Sequence, residues 1–229
     1  MPRAKAVAIK ALEPDETLAE AHTALAEVKL YYDWDWAGAE QAFRRALELN
    51  ANLAETHMHY GWYLEAIGRA DEAITEMRRA LELDPLSRIY TAWLGWEYWW
   101  AGRYEEGIDA ARKSLELASD FPVGLYVLGA IYGEKGMFKE AIAAHEKAAA
   151  KYPNLWVRWA LARTDAQAGR TEEARKILAG LRENVKSWDS WFIAEVYAAL
   201  GEKDEAFRWL ERAYEHRHSF LPGIRRNPA

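Results

Sequence analysis

An all-α solenoid of antiparallel helix pairs is the fold class that this sequence of 229 residues predicts, and three observations predict it. A turn glycine recurs as Gly68, Gly102, Gly136, Gly169 and Gly201, at intervals of 34, 34, 33 and 32 residues. A small residue follows each glycine five positions later, as Ala73, Gly107, Ala141, Ala174 and Ala206, and Ala39 lies another 34 residues before Ala73. The stretch Gly61 to Pro85, GWYLEAIGRADEAITEMRRALELDP, reads as helix, glycine turn, helix and proline stop, and its pieces recur along the chain. Repetition at one period is the mark of stacked repeats, which grow by units rather than around a single core.

Arg3 to Leu12 has helical spacing and no partner helix before it; Pro14 and Asp15 end it. Residues 1–16 therefore read as a half repeat, as at the start of a piece of a longer array, and as the cap on the first full repeat. Residues 17–215 read as six repeats. Repeat one, from about Ala19 to Asn52, carries His22, Leu25, Ala26 and Lys29 on its first helix. Its turn, Tyr31 to Trp36, is enlarged by one residue. Its second helix bears Ala39, Ala42, Phe43, Ala46 and Leu47, a helical apolar stripe. Repeat two, Ala54 to Ser87, ends at Asp84-Pro85, since proline cannot continue a helix. Repeats three (Arg88 to Phe121) and four (Pro122 to Leu155) set Leu94, Gly95, Tyr98 and Leu128, Gly129, Tyr132 in matching places, and Pro122 suits a first helical position. Repeats five (Leu155 to about Lys186) and six (Ser187 to about Glu215) continue with Leu161, Ala162, Leu178 and Ile193, Ala194, Tyr197. Residues 216–229, with Pro222, Gly223 and Pro228, fit no helix and read as an irregular tail. Gly61, Gly95, Gly129, Ala162 and Ala194 stand eight places into their repeats, and the small residues after the turns stand at place twenty. Close helix crossings need little side chain, so the two sets read as two approaches, one within a hairpin and one between hairpins.

Composition limits function. A net charge of -6 opposes a nucleic-acid surface and an anionic membrane surface, both of which need clustered Lys and Arg. With no cysteine there is no disulfide, thiolate zinc site or cysteine nucleophile. No signal peptide precedes the helical pattern, and no apolar run of about 18 residues occurs, so a soluble, cytoplasmic protein is expected. His57 and His59 point to different sides of a helix, and His216 and His218 flank Arg217 at a helix end. All four read as solvated or capping rather than metal ligands. Glu105-Glu106 and Glu172-Glu173 open second helices, where the dipole favours carboxylates. With no phosphate loop, Ser-His-Asp pattern or nucleotide motif, neither catalysis nor a cofactor is expected.

The pattern resembles the tetratricopeptide repeat, whose period is 34 and whose signature runs W-x-x-L-G-x-x-Y, then Ala, aromatic, Ala and Pro. Repeat four carries Leu128, Gly129, Tyr132, Ala141 and Pro153 in those places. Repeat two departs with Tyr60 and Leu64, and repeat three with Ser114 and Ser119. Units such as RADEAITEMRRALELDPLS are similar to arrays in bacterial signalling proteins, among them kinases, cyclases and winged-helix regulators. The resemblance implies a right-handed superhelix whose first helices line a concave groove for a peptide or partner helix, with no catalytic site.

In such repeats, places two, five, nine, twelve and thirteen look into the groove. Carried over, they mark Glu20, Thr23, Glu27, Leu30 and Tyr31 in repeat one and Glu55, Met58, Trp62 and Glu65 in repeat two. Ala92, Trp96, Trp99 and Trp100 follow in repeat three, and Val123, Tyr126, Ala130 and Glu134 in repeat four. Trp156, Trp159, Arg163 and Gln167 occupy them in repeat five, and Trp188, Trp191 and Glu195 in repeat six. Trp93 and Trp209 read as core, whereas Trp62, Trp96, Trp159 and Trp191 read as an exposed aromatic binding surface. Place nine holds no Asn, so the Lys-Asn-Arg clamp of the family's chaperone-binding members is absent. Aromatic faces beside carboxylates suit a cation, which points to a protein or peptide partner with basic and aromatic residues. The same surface would serve a small molecule or glycan, and repeat stacking would serve a homo-oligomer; these are the alternatives.

Overall fold

A computed structural model describes residues 2–152, 155–183, 190–216 and 218. Among them the chain is all-helical, thirteen α-helices with no strand. Helix α1 (Pro2–Leu12) precedes six antiparallel pairs: α2 (Ala19–Val28) with α3 (Trp36–Leu49), α4 (Ala54–Ile67) with α5 (Ala70–Leu83), and α6 (Arg88–Trp100) with α7 (Tyr104–Leu117). Then come α8 (Pro122–Glu134) with α9 (Phe138–Lys151), α10 (Leu155–Gln167) with α11 (Thr171–Arg182), and α12 (Ser190–Ala199) with α13 (Lys203–Glu215). Each first helix packs on its own second helix and on the next first helix, which makes a solenoid. First helices such as α8 are apolar nearly all round because neighbours flank them on both sides. Second helices such as α5 carry one apolar stripe, Ala73, Ile74, Met77 and Ala80, under a charged outer face.

The five turn glycines all have positive φ, from 71° to 91°. Each closes its first helix with the same main-chain bond, running from the N–H after the glycine to a carbonyl five residues back. Arg69 to Leu64, Arg103 to Tyr98, Met137 to Tyr132 and Arg170 to Asp165 are 2.8 Å long, and Glu202 to Tyr197 is 2.9 Å. This is the six-to-one bond of a Schellman cap, and glycine takes the left-handed residue without a Cβ penalty. Repeat one departs. Trp34 stands where the others have glycine and holds φ at 57°. The extra residue is absorbed by a π-type turn, Lys29–Asp33, closed by a 2.9 Å bond from Asp35 N–H to the Lys29 carbonyl. Asp35 then caps α3 by accepting from Gly38 N–H at 3.0 Å.

The small residues serve both approaches at once. Places eight and twenty face each other within the hairpin, and both also meet the next hairpin. A Cβ added at Gly61 would lie 3.3 Å from the Ala73 carbonyl oxygen, and one at Gly95 would lie 3.0 Å from that of Gly107. The next repeat then seals the contact: a Cβ at Gly107 would meet Ile131 at 2.7 Å. In repeat four the sealing residue is His145, from the same hairpin. A Cβ at Gly129 would lie 2.4 Å from its ring, whose nitrogens sit 3.0 Å from Thr164 Oγ1 and 3.3 Å from the Tyr126 carbonyl. Burial pushes that imidazole down to about 4, so it is neutral inside the fold. Between repeats, arginines of the second helices reach the tyrosine that ends the next repeat's signature: Arg78 to Tyr98 at 2.6 Å, Arg112 to Tyr132 at 3.0 Å and Arg182 to Tyr197 at 3.0 Å.

Two glycines separate packing from backbone effects. Gly95→Ala forces a methyl against main-chain atoms at 3.0 and 3.3 Å that cannot step aside, and is expected to destabilise by about 1–3 kcal/mol. At Gly133 the nearest atom is a Gln167 side-chain oxygen at 3.7 Å, so Gly133→Ala is expected to stabilise by about 0.5–1 kcal/mol through helix propensity. Thermal melts of the two variants should move in opposite directions; movement in the same direction refutes the placement.

Candidate functional site

The first helices put a continuous array of rings on the inner face. His59 meets Trp62 at 5.0 Å, Trp62 meets Trp93 at 5.2 Å, and Trp93 meets Trp96 at 5.5 Å. Trp96 contacts Trp99, Trp100 and Tyr126 at 5.0, 5.8 and 5.7 Å. Tyr126 continues to Trp156 at 4.1 Å and Trp159 at 6.0 Å, and Trp159 to Phe192 at 4.8 Å. The tilted and edge-on geometries are those favoured by ring quadrupoles. Trp93 also reaches Trp156, two repeats away, at 6.4 Å. The solenoid is curled tightly enough for Trp34 of the first repeat to meet Tyr214 on α13 at 5.7 Å.

This tight curl corrects the expectation of an exposed aromatic surface. Trp96, Trp99, Trp159 and Trp191 are only 4 to 8% exposed, and Tyr126 is 1% exposed, because rings from successive repeats converge and bury one another. The half-exposed rings along the same face are Trp62, Trp93, Trp100 and Trp156. Trp93 therefore belongs to the inner array as well as to the packing between repeats. Trp209 is half-buried on α13 beneath the Arg212 guanidinium, 5.2 Å from its ring. Trp188 lies outside the described residues, as do Pro153 and residues 219–229.

Carboxylates lie between the rings. Glu65 accepts from the Trp96 indole N–H at 3.0 Å. Glu27 and Glu55 flank His59 Nε2 at 3.3 and 3.7 Å. In the second half of the solenoid Glu134 pairs with the buried Arg163 at 3.0 Å, and Glu195 is buried on α12. Arg163 is thus committed inside the protein, unlike the open groove cation that its place implied. Glu97, which reads as an ordinary helix residue, is 1% exposed at place ten, where other repeats put Val28, Ile131 or Val196. Its Oε1 has no hydrogen-bond partner among the described residues. Burial and the neighbouring Glu65 push its carboxyl well above the ordinary carboxylate range. Burial and Glu55 push Glu27 up to about 7. Burial pushes the His59 imidazole down against the opposing pull of Glu55.

The histidines correct the solvated reading. His57 is buried, 2.6 Å from Glu76 and 3.1 Å from the Ala51 carbonyl. His218 is 4% exposed, stacked 6.1 Å from Trp191 and edge-on 5.5 Å from Phe192. Among the described residues no group of His, Asp and Glu is arranged to hold a metal ion, and no helix is long and apolar enough to cross a membrane.

Stacked helix pairs around a ring-lined concave face define a helical-repeat interaction scaffold. The tetratricopeptide repeat signature matches residues 30–88 and 134–191, which together make about half of the chain. The chain belongs to the tetratricopeptide repeat family, whose repeats generally mediate protein–protein interaction and whose scaffold members are typically not enzymes. No curated protein sequence matches it. Among solved structures it is similar to a chain of the APC/C hetero-tetramer Cut9–Hcn1, with a TM-score of 0.70 at 16% identity over 93% of this chain and 43% of that one. It is also similar to PilW, a widely conserved type IV pilus biogenesis factor, with a TM-score of 0.63 at 20% identity over 86% and 92% of the two chains. PilF of Pseudomonas aeruginosa gives 0.60 at 18% over 92% and 96%. At these identities the likeness concerns the fold.

The raised Glu27 pKa has a testable sign. A carboxyl that binds its proton more tightly when folded contributes most to stability while protonated. It loses that contribution as pH rises from its ordinary value of 4.5 towards about 7. Glu55, His59 and Tyr31 are titratable groups beside it. Glu27→Gln is therefore expected to gain thermal stability relative to the parent chain as pH is raised from about 5 to about 8. A constant difference between the two melting curves across that range would mean that Glu27 is ordinarily hydrated.

Proposed function

We propose that the chain is a protein-interaction module that takes a peptide segment or partner helix along its inner face, with a basic residue docked at the end formed by repeats one to three. One observation carries this reading. Glu27 and Glu55 flank His59, whose ring meets the half-exposed Trp62 and through it Trp93, and among the described residues neither carboxylate forms an ion pair with a lysine or arginine. A guanidinium or ammonium group there would face aromatic rings and carboxylates together, at a partly desolvated site where both attractions are strengthened. The other end differs, since Glu134 is already neutralised by Arg163. A bound segment is therefore expected to run with its positive charge towards repeats one to three. The scaffold is stiff and its rings are already packed, so little side-chain entropy is lost on binding. The likeness of its repeat units to arrays in bacterial signalling proteins suggests a place in a signalling or regulatory assembly.

A random peptide display screen tests the reading. Enriched peptides are expected to share a basic residue near an aromatic or aliphatic anchor. Trp62→Ala and Trp100→Ala are suitable because both rings are partly exposed, so truncation leaves the buried array in place. Each is expected to weaken the selected peptides by about 30-fold, the scale of a binding hot spot. Glu27→Gln with Glu55→Gln should remove the preference for basic peptides. A preference for acidic peptides, or affinities unchanged by all four substitutions, would overturn the proposal.

A further inference from the structure

We propose that Glu97 is the recognition residue for an arginine side chain: with Glu65 it forms the floor of a subsite, between α4 and α6, that takes a guanidinium group in preference to an ammonium group. This rests on the reading of the inner face as a peptide-binding surface, and it adds which basic residue is read there and by what.

Glu97 lies on α6 between Trp93 and Trp100, at a spacing of i, i+4 and i+7, so the three side chains form one strip of the helix. The two indoles that bracket it are half-exposed, whereas the carboxylate beneath them is buried. On the facing helix α4 its neighbour is Gly61, where an added Cβ would lie 3.8 Å from Glu97 Oε1. Glu65 follows Gly61 by one turn, and its Oε2 accepts from the Trp96 indole N–H at 3.0 Å. Trp62, half-exposed on the same helix, meets Trp93 at 5.2 Å. Two carboxylates and four indoles thus gather between the first helices of repeats two and three.

Hydrogen bonding at this place is incomplete. Glu97 Oε1 is buried without a hydrogen-bond partner among the described residues, and so are the indole N–H groups of Trp99 and Trp100. Buried polar groups are costly unless something meets their need. One acceptor and two donors left open on a single helix call for a ligand that carries both kinds of group. An arginine within a peptide does: its guanidinium donates to carboxylates, and the adjoining main-chain carbonyls accept from indole N–H groups. A metal ion or a simple alkylammonium supplies no acceptor.

Burial also selects the cation. Ring faces attract any cation, but a guanidinium is planar, stacks on aromatic rings and presents five donors in a fork that can serve two carboxylates together. It is also more weakly hydrated than an ammonium, which must shed a tightly held water shell to reach an oxygen as enclosed as Glu97 Oε1. The Glu27 and Glu55 side chains, 33 and 76% exposed, attract either basic residue. The choice between arginine and lysine is therefore made at Glu97.

N-acetylarginine amide and N-acetyllysine amide, titrated into isotope-labelled chain, test this through the indole N–H resonances. The arginine compound is expected to shift those of Trp93, Trp96 and Trp100, to leave those of Trp36 and Trp209 in place, and to bind about tenfold more tightly than the lysine compound. Glu97→Gln keeps the size of the side chain and removes its charge; it is expected to lower affinity for the arginine compound about tenfold and so erase the preference. A thermal melt shows whether that variant is folded. Glu97→Val, which installs the residue type of Val28 and Val196, repeats the comparison should the Gln variant fold poorly. Equal or absent binding of the two compounds, a preference that survives both substitutions, or shifts that include Trp36 and Trp209 overturn the inference. If it is overturned while displayed basic peptides still depend on Glu27 and Glu55, the proposed function stands without an arginine reader. If the arginine compound binds through Glu97 and no displayed peptide is enriched, the subsite stands and the peptide partner falls.

Discussion

Main chain lies against main chain inside every helix hairpin, and the rest of the molecule depends on that contact. Where Gly61 faces Ala73 and Gly95 faces Gly107, no side chain larger than a methyl group can intervene. The closeness draws each first helix inward and sets the angle at which the next repeat is added. The contact is sealed from the side by Ile131 of the next repeat in one case and by His145 of the same hairpin in another, so in the first case stacking also closes the hairpin. Each unit is unable to cover its apolar face alone and becomes stable through its neighbours.

The inner face follows from this geometry. Tight hairpins curl the solenoid until Trp34 reaches Tyr214, and the concave surface becomes too narrow for its rings to stand apart. Rings from repeats three to six pack edge-on and tilted against one another, leaving a rim of half-exposed rings. The same narrowing desolvates carboxylates that would be hydrated on a shallower surface. Glu27 and Glu97 hold their protons more tightly for that reason, whereas Glu134 is neutralised by Arg163. The two ends of the surface consequently differ in charge character although they are built from the same repeat.

Much of the scaffold was legible before folding, because it depends on local chemistry. Positive φ at a turn selects glycine, and the glycines at a period near 34 identified the helix boundaries. The apolar stripes of the second helices identified the outward faces. The candidate site was legible as a set of positions: Trp62, Trp96, Trp100, Trp156 and Trp159 all belong to the first-helix array. Their exposure was not legible, because it is set by how far repeats two apart lean together, as Trp93 and Trp156 do. The burial of Glu97 and that of His218 were hidden for the same reason. A carboxylate at place ten, which holds an uncharged residue in every other repeat, was the available signal for the first; nothing local marks the second.

The amino-acid sequence by itself determined the period, the helix pairs, the turns and the face on which the tryptophans lie, since each of these depends on residues within one repeat. Only the tertiary structure decided the curvature, the burial of the inner rings, the displaced protonation of the carboxylates and the inward turn that places His218 on Trp191. Those features arise from contacts between residues 27 to 180 positions apart, where small rotations accumulated over several repeats determine whether two side chains meet.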